Sequence, residues 1–154
     1  YYGRGPMQLS WNYNYGQFSN IFVESRYDSK MELLENPDLV AQSGYTAMAA
    51  GLWFYMFPQP PKPSMHDVMT GFYKPNSVDT RANIGATFAT TINIINGGLE
   101  CGKGFGYDKV VQRGNYYKKW LDYFGLPVEN TGLDCGNQPD GMPTEGAGKQ
   151  PLYF

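Results

Sequence analysis

The stretch GYTAMAAGLWFYMF, residues 44–57, is apolar on nearly every side. A helix that is apolar all round is normally buried at the centre of a domain. Pro58 follows directly and ends the pattern, because proline cannot continue a helix. The stretch therefore predicts a central, buried helix in a mainly α-helical domain. The next residues, 58–63, read PQPPKP and predict a stiff, extended linker.

Four more helices are predicted beyond this linker. Ser64 and Asp67 have the spacing of a helix N-cap, and Gly71 ends that short helix. Ser77 is expected to cap a helix over residues 78–83. Apolar residues then recur every three or four positions in two longer segments. One contains Ile84, Phe88, Ile92 and Ile95 and is expected to end at the glycines 97–98; the other contains Val110, Tyr117, Leu121 and Phe124 and is expected to end at Gly125.

The sequence on the N-terminal side is less regular. Residues 1–16, YYGRGPMQLSWNYNYG, predict an ordered loop. Residues 17–35 predict a mixture of helix and loop, and Asn36 before Pro37 is typical of a helix start. The Gly- and Pro-rich residues from 136 onward predict a flexible tail.

The composition excludes several classes of protein. The chain has 154 residues with 12 basic and 14 acidic side chains, so it lacks the basic surface that binding to nucleic acid or to a membrane surface requires. No apolar run approaches the roughly 18 residues of a membrane-spanning helix. Aromatic residues make up 16% of the chain and 13 of them are tyrosine. Such rings can fill a core or line a groove for sugars.

Cysteine and histidine limit the possible chemistry. Cys101 and Cys135 are the two cysteines; on spacing alone they are either a disulfide worth about 3–4 kcal/mol or two buried thiols. His66 is the one histidine. A structural zinc site would therefore lack ligands, and a Ser–His–Asp or Cys–His triad would have to include a residue that a short capped helix explains more simply. No metal or other cofactor is expected.

Two stretches carry hydrogen-bonding side chains where a core segment would carry apolar ones. Residues 1–16 interleave amides and a serine with tyrosines, and residues 95–102, INGGLECG, place Asn96 and Glu100 around a glycine pair. Planar amides, hydroxyls and aromatic rings together suit a pyranose, whose edge takes hydrogen bonds and whose face packs on rings. The alternative is that both are ordinary loops whose amides bind their own backbone.

Four stretches of the sequence together closely resemble the family 19 glycoside hydrolases, the plant-type chitinases and their relatives. They are residues 1–16, NPDLV (36–40), LWFYMFPQPPKPSMHDV (52–68) and NIINGGLECGKG (93–104). The resemblance runs from residue 1 to about 138. It implies a mainly α-helical, lysozyme-like, two-lobed fold with a cleft for β-1,4-linked N-acetylglucosamine. Residues 1–138 would belong to the catalytic domain, and residues 139–154 would form a flexible Gly/Pro-rich tail.

The resemblance also implies roles for individual residues. The family cleaves chitin with inversion: one Glu protonates the glycosidic oxygen and a second activates the attacking water. Ser10 matches a residue that holds this water, and Glu100 with Arg113 matches a charged pair that supports the catalytic acid. Cys101 and Cys135 match a family disulfide. The positions that match sugar-lining residues are Gln8, Tyr13, Asn14, Lys62 and Asn96.

One departure from the family pattern concerns catalysis. Both catalytic glutamates of the family lie upstream of the YYGRGP motif, and no glutamate of this sequence matches either position. We therefore expect the C-terminal portion of a chitinase domain without its N-terminal part, inactive by itself, since loss of a general acid alone costs about 10²–10⁴-fold. Trp11 stands where many plant members have His, and residues 17–34 look longer than usual.

Two alternatives to an endochitinase remain open at this point. One is a non-catalytic, lectin-like chitin-binding protein, and the other is a relative that cleaves peptidoglycan. The expected partner is chitin or a chito-oligosaccharide, and neither nucleic acid nor a membrane. The disulfide match and the polymeric substrate imply secretion. Helix 44–57 is expected to expose apolar surface that the absent part would cover, and so to favour association.

Overall fold

The computed structural model describes residues 1–24 and 32–143. Within these residues the chain forms seven α-helices, and its β-structure there consists of two isolated bridges, Arg4–Leu9 and Gln59–Lys62. The prediction of a mainly α-helical fold is confirmed. The chain divides into two compact units, Tyr1–Met56 and the remainder from Phe57. None of the helices in the described ranges combines the length and apolarity that crossing a bilayer requires.

The first unit contains α1 (Asn12–Glu24), α2 (Leu39–Gln42) and α3 (Gly44–Met56). Its core joins the inner faces of α1 and α3, and the rings of Phe18 and Trp53 lie 5.7 Å apart between their centroids. The buried members of this core are Leu9, Tyr15, Phe18, Leu33, Val40, Ala50 and Trp53.

Helix α1 begins earlier than the sequence predicts. Residues 12–16 were expected to belong to a loop, but they form the first turn of α1. Tyr15 and Phe18 stand three residues apart, so a helix places both on one face, where both are fully buried. This burial outweighs the weak helix propensity of the Asn, Tyr and Gly residues around them. Residues 25–31 of the predicted 17–35 segment lie outside the described residues.

Helix α3 confirms the helix predicted over residues 44–57, but it is not buried on every side. Ala50, Gly51 and Trp53 are buried, whereas Met48 and Leu52 are 55% and 60% exposed. The expectation of a wholly buried central helix is therefore wrong for one face. Apolar character all round the helix does not identify which face the core covers.

The second unit contains α4 (Met65–Thr70), α5 (Ser77–Arg81), α6 (Phe88–Glu100) and α7 (Asp108–Tyr123). Helix α6 packs against both α4 and α7. The predicted limits of α4 are confirmed: the Ser64 hydroxyl accepts from the Asp67 backbone N–H at 2.9 Å, and Gly71 follows in the left-handed conformation. Gly125 adopts the same conformation just after α7, as the sequence predicts.

The cap of α5 is Asn76, not Ser77 as predicted. The Asn76 Oδ1 accepts from the backbone N–H groups of Val78 and Asp79 at 2.7 and 3.0 Å. In return the Asp79 carboxylate accepts from the Asn76 N–H at 3.0 Å. The two residues form a capping box one position earlier than the serine.

The segment at residues 58–63 is a turn, so the prediction of an extended linker is wrong. Gln59 and Lys62 exchange two backbone hydrogen bonds of 3.0 and 2.8 Å across the cis Pro60–Pro61 bond. A turn of this kind uses prolines whose missing N–H groups are not needed for the two bonds.

Helix α6 starts at Phe88 and continues through the glycines that were expected to end it. Ile84, expected to lie on this helix, is buried before it. A Cβ on Gly97 would lie 2.3 Å from the Asn93 Oδ1, so close packing within the helix requires this glycine. The helix is interrupted instead at Asn96, whose φ of −149° and ψ of 32° are not helical.

Residues 136–143 are packed rather than flexible. The Asn93 Nδ2 donates to the Gln138 Oε1 at 3.2 Å and to the Pro139 carbonyl at 2.9 Å, and Met142 is 7% exposed. The flexible tail therefore does not begin at residue 136. Residues 144–154 lie outside the described residues, and the domain boundary at 138 stays a prediction.

A disulfide joins Cys101 to Cys135, with a Cα–Cα distance of 5.0 Å. Both sulfurs are fully buried in a small core with Ala89, Ile92 and Val110. The bond connects the end of α6 to the segment that follows α7, so the pairing expected from the family resemblance is present.

Replacing Cys101 and Cys135 together by serine should lower the free energy of unfolding by about 3–4 kcal/mol, because the bond closes a long loop in the unfolded chain. Urea denaturation followed by circular dichroism measures this loss. Wild-type protein under reducing conditions should approach the stability of the double variant. A change below about 1 kcal/mol would contradict the expectation.

Candidate functional site

The first group of predicted site residues is built on a tight turn in the first unit. Arg4 and Leu9 exchange two backbone hydrogen bonds of 3.1 and 2.9 Å. The turn between them holds Gln8 at a φ of 53°, and its side-chain Nε2 donates to the Gly5 carbonyl at 2.9 Å. A Cβ on Gly3 would lie 2.7 Å from the Gln8 Oε1. The glycine thus leaves room for this amide to lie against the backbone.

Gln8, Ser10 and Asn14 form a continuous hydrogen-bonded series. The Ser10 hydroxyl donates to the Gln8 carbonyl at 2.8 Å, and the Asn14 Nδ2 donates to the Ser10 carbonyl at 2.8 Å. Asn14 is 5% exposed, and its Oδ1 has no hydrogen-bond partner among the described residues. An unpaired buried acceptor is costly unless water or a ligand satisfies it. This amide oxygen is the one buried acceptor of the series without a partner among the described residues.

Aromatic rings lie beside this series. Tyr13 and Trp11 are 56% and 66% exposed, and Trp11 adopts a φ of 73° in the turn that leads into α1. Exposed rings next to amides and a hydroxyl can pack on an apolar sugar face. Tyr13 was predicted from the family resemblance, and Trp11 was noted as a departure from it.

Arg4 anchors this loop and was missed by the sequence analysis. Its Nη1 donates to the Tyr15 hydroxyl at 2.8 Å and its Nε to Asp38 at 3.0 Å. Its guanidinium carbon lies 3.8 Å from the centroid of the Tyr2 ring. The Tyr15 hydrogen bond and then the Asp38 contact raise the pKa of Arg4. An arginine between two glycines gives no signal in the sequence that it holds a loop to two helices.

The second group of predicted residues surrounds Glu100 in the second unit. Glu100 is 2% exposed. Its Oε1 accepts from the Asn96 Nδ2 at 2.6 Å and from the Arg113 Nη2 at 2.8 Å, and its Oε2 accepts from the Arg113 Nε at 2.7 Å. The arginine thus binds both carboxylate oxygens and connects α6 to α7.

The partners of Glu100 favour its charged state. The Arg113 hydrogen bond holds the pKa of Glu100 below its usual range, and Asn96 adds to this effect, although burial acts in the opposite direction. Glu100 in turn raises the pKa of Arg113. Both residues therefore stay ionised as a pair near neutral pH.

Lys62 approaches the same helix from the turn at residues 59–62. Its Nζ donates to the Ile94 carbonyl at 2.8 Å, and burial lowers the pKa of Lys62. The contact lies two residues before the non-helical Asn96. The second group thus lies along one stretch of α6. Asn96 and Glu100 belong to this helix, Arg113 contacts it from α7, and Lys62 contacts it from the turn at residues 59–62.

The structure therefore brings together two sets of predicted residues, each within its own unit. The first consists of Gln8, Ser10, Tyr13 and Asn14, and the second of Lys62, Asn96, Glu100 and Arg113. The described part of the chain contains no group of three or more His, Cys, Asp or Glu side chains that would hold a metal ion.

A family of known proteins matches most of this sequence. The family is glycoside hydrolase family 19, described as chitinase class I, and the match covers residues 1–135. Among the curated relatives, endochitinase A2 of Pisum sativum is 47% identical over 138 residues, which are 90% of this chain and 40% of that protein. Inactive chitinase-like protein 1 of Hevea brasiliensis is 46% identical over 138 residues, which are 90% of this chain and 41% of that protein.

Solved chitinases share the fold. A crystal structure of a Glu-to-Gln mutant of chitinase C has a TM-score of 0.66 and 32% identity, and the similarity covers 88% of this chain and 55% of that chain. Chitinase C from Streptomyces griseus HUT6037 has a TM-score of 0.65 and 32% identity, covering 88% and 45%. The expected mainly α-helical, lysozyme-like fold class is thus confirmed. The chain spans about 40% of the length of the curated relatives named above.

Replacing Glu100 by Gln should lower the free energy of unfolding at pH 7 by about 1–3 kcal/mol, because Arg113 loses its charged partner. The folded state lowers the pKa of Glu100. Its stabilisation is therefore complete above the unfolded pKa of about 4.3 and is lost as the pH falls through the lower folded value. Between these two pKa values, acidification should lower the free energy of unfolding less in the variant than in the wild type.

Urea denaturation from pH 3 to pH 7 measures both effects. Glu129→Gln is the matched control, since Glu129 is exposed and its replacement should change little. A Glu100→Gln profile parallel to that of the wild type would argue against the charged pair.

Proposed function

Because the chain belongs to the chitinase class I family of glycoside hydrolases, we propose that it forms part of a chitin-binding cleft in an endochitinase. The whole protein would hydrolyse β-1,4 linkages between N-acetylglucosamine units with inversion at the anomeric carbon. The observation that carries this proposal is the hydrogen-bonded series Gln8–Ser10–Asn14, which ends in a buried, unpaired amide oxygen.

The roles proposed for the first group follow from its contacts. Asn14 offers a free acceptor to a sugar hydroxyl or amide N–H, and Tyr13 offers an exposed ring to a sugar face. Ser10 lies between Gln8 and Asn14, where its hydroxyl can also accept from the attacking water. The hydrogen bonds of Ser10 and Asn14 hold the series in place next to the turn at residues 4–9 before a sugar binds, which lowers the cost of ordering it.

Lys62 and Asn96 are proposed to bind sugar from α6. The Lys62 ammonium donates to Ile94 with one of its three N–H groups, so further donors can reach a sugar oxygen. The Asn96 amide is oriented by its bond to Glu100, which leaves the amide oxygen available as an acceptor. Glu100 and Arg113 then act as positioning residues that fix Asn96 electrostatically.

We expect neither the general acid nor the general base among the glutamates of this sequence. A general acid needs a raised pKa so that it stays protonated at the working pH. Glu100 has the opposite property, since Arg113 and Asn96 occupy its oxygens and lower its pKa. It supports the reaction as a fixed negative charge.

A secreted location is proposed with the enzyme function. Chitin is an insoluble polymer outside the cytosol, and disulfides persist mainly in oxidising compartments. The fully buried Cys101–Cys135 bond supports this assignment.

A second candidate function is chitin binding without catalysis. The relative named inactive chitinase-like protein 1 is 46% identical to this chain, almost the same value as the endochitinase of Pisum sativum. A relative whose name calls it inactive is thus about as similar to this chain as an endochitinase is, so overall similarity does not decide between the two functions. Sequencing the full-length transcript discriminates between the two functions, because the enzyme requires a pair of glutamates and the binding protein does not.

The exposed apolar face of α3, formed by Met48, Leu52 and Met56, is proposed to favour association. These side chains are 55%, 60% and 45% exposed and recur at four-residue spacing, so they form one stripe. A second copy of the chain can cover such a stripe and remove apolar surface from water.

The 154-residue chain should bind chitin hexasaccharide without cleaving it. Proton NMR of the mixture should show broadened sugar resonances and no new α-anomer, because the general acid and base are absent. Tyr13→Ala should weaken binding about tenfold through the lost ring contact.

Tyr45→Ala is the matched control for Tyr13→Ala, since both tyrosines belong to the first unit and are more than half exposed. New α-anomer in a sample of the pure chain would disprove the absence of a catalytic pair. If both variants bind the hexasaccharide with equal affinity, Tyr13 does not contact the sugar.

Leu52→Gln should shift the chain toward the monomer in sedimentation velocity at several concentrations, because a polar side chain interrupts the α3 stripe. Val128→Gln, which changes an exposed apolar residue of the second unit, should leave the distribution unchanged. A wild-type chain that stays monomeric at all concentrations would refute association through α3.

A further inference from the structure

A buried amide lies on α6 one turn before Asn96. The Asn93 side chain is fully buried, and its Nδ2 donates to the Gln138 Oε1 at 3.2 Å and to the Pro139 carbonyl at 2.9 Å. Both acceptors belong to the irregular segment that follows the disulfide. The Gln138 backbone N–H in turn donates to the Cys135 carbonyl at 3.0 Å, so this end of the segment is itself held in place.

Residues 138–141 lie directly against the glycines at the end of α6. A Cβ on Gly97 would lie 3.4 Å from the Gly141 Cα. A Cβ on Gly102, just beyond the helix, would lie 3.1 Å from the Gln138 carbonyl oxygen. The absence of side chains at these glycines lets the segment approach the helix backbone closely, beside the point where α6 leaves helical geometry.

The non-helical Asn96 therefore lies between two fixed points. Three residues before it, Asn93 is bonded to residues 138–139. Four residues after it, Glu100 is bonded to Arg113 and also accepts from the Asn96 Nδ2. The backbone of Asn96, with its φ of −149° and ψ of 32°, has to satisfy both attachments. A change at either one should reorient the Asn96 amide.

The Asn93 Oδ1 distinguishes this attachment from ordinary core packing. It has no hydrogen-bond partner among the described residues, and it occupies the space that a Cβ of Gly97 would need. A buried acceptor without a partner costs free energy, and a pair of apolar side chains could replace a buried hydrogen bond without loss of stability. What two directional hydrogen bonds add is a narrowly defined position of the helix relative to the segment.

We propose that Asn93 and Gln138 are positioning residues for the sugar contacts of α6. They fix the Asn96 amide oxygen, and they fix the neighbouring Ile94 carbonyl, to which the Lys62 ammonium donates at 2.8 Å. Both positioning residues are buried, so they act through α6 and not by contact with the sugar. This inference rests on the proposed function for the sugar-binding roles of Asn96 and Lys62.

A purely structural role for Asn93 and Gln138 makes a different prediction. Loss of either side chain would then change sugar binding only through the fraction of unfolded protein. A positioning role changes the Asn96 amide in the folded protein, before any sugar is added. The NMR signal of this amide in the full chain therefore distinguishes the two roles, and Asn96→Ala assigns the signal by removing it.

Gln138→Ala removes one acceptor of the Asn93 amide without altering α6 itself. The Asn96 side-chain signal should move toward that of an exposed amide, because its hydrogen bond to Glu100 loosens. In a titration with chitin hexasaccharide, the dissociation constant measured from this signal should rise about tenfold, which corresponds to one well-placed hydrogen bond. Asn137→Ala is the matched control, since Asn137 is the exposed neighbour in the same segment, and it should change neither readout.

Asn93→Leu removes both hydrogen bonds at nearly constant volume and should change both readouts more than Gln138→Ala does. Its matched control is Asn76→Ala, which removes the two amide hydrogen bonds of 2.7 and 3.0 Å that cap α5 in the same unit. Urea denaturation identifies conditions in which both variants are fully folded. An equal loss of hexasaccharide binding in Asn76→Ala under these conditions would overturn the inference. If Asn93→Leu does not fold, Gln138→Ala decides alone.

Two results separate this inference from the proposed function. If hexasaccharide shifts the Asn96 signal of the wild type, but Gln138→Ala keeps the wild-type signal and affinity, the positioning role is refuted and the proposed function stands. If hexasaccharide leaves the wild-type signal unchanged, but Gln138→Ala displaces it in the free chain, the sugar-binding role of Asn96 is refuted and the placement of its side chain by Gln138 stands.

Discussion

The buried carboxylate of Glu100 is the constraint around which the second unit is arranged. An uncompensated charge at this depth would cost several kcal/mol, so the fold must bring a cation to it. Arg113 does so from α7, and Asn96 adds an amide from one turn earlier on α6. The same requirement fixes the orientation of Asn96 at the point where α6 leaves helical geometry. Asn96, which we propose to bind sugar, is thus oriented by the need to neutralise one charge.

The first unit uses a cation in the corresponding role. Arg4 is 8% exposed, and its donors are distributed between Asp38 and the Tyr15 hydroxyl. Because Tyr15 is a core residue of α1, this arginine connects the loop at residues 1–9 to the packed interior. Each unit therefore has an ion pair next to its proposed sugar contacts, Arg4–Asp38 in the first unit and Arg113–Glu100 in the second. Such pairs suit a site that must be ordered before its ligand arrives.

The sequence predicts helices well where a clear signal marks a helix end, as Pro58, Gly71 and Gly125 do for α3, α4 and α7, and fails where the packing of individual side chains decides. The glycines 97–98 suggested a helix end, but Gly97 is required by its approach to Asn93. Residues 136–143 suggested flexibility, but Asn93 binds them from a distant helix. For the site, the residue roles came from family resemblance, and Arg4 was missed because its partners lie 11 and 34 positions away.

The segment that follows the disulfide shows that order need not coincide with regular secondary structure. Cys135 is bonded at one end, Gln138 is buried, and a Cβ on Gly136 would lie 2.3 Å from the backbone of Gly104. Substitutions here should therefore be tolerated as poorly as in a core helix, although the residues form none. Sequence variation among relatives would be expected at the exposed Asn137 and not at its two neighbours. A mutagenesis library that varies this stretch as if it were a tolerant surface loop would therefore consist largely of destabilised variants.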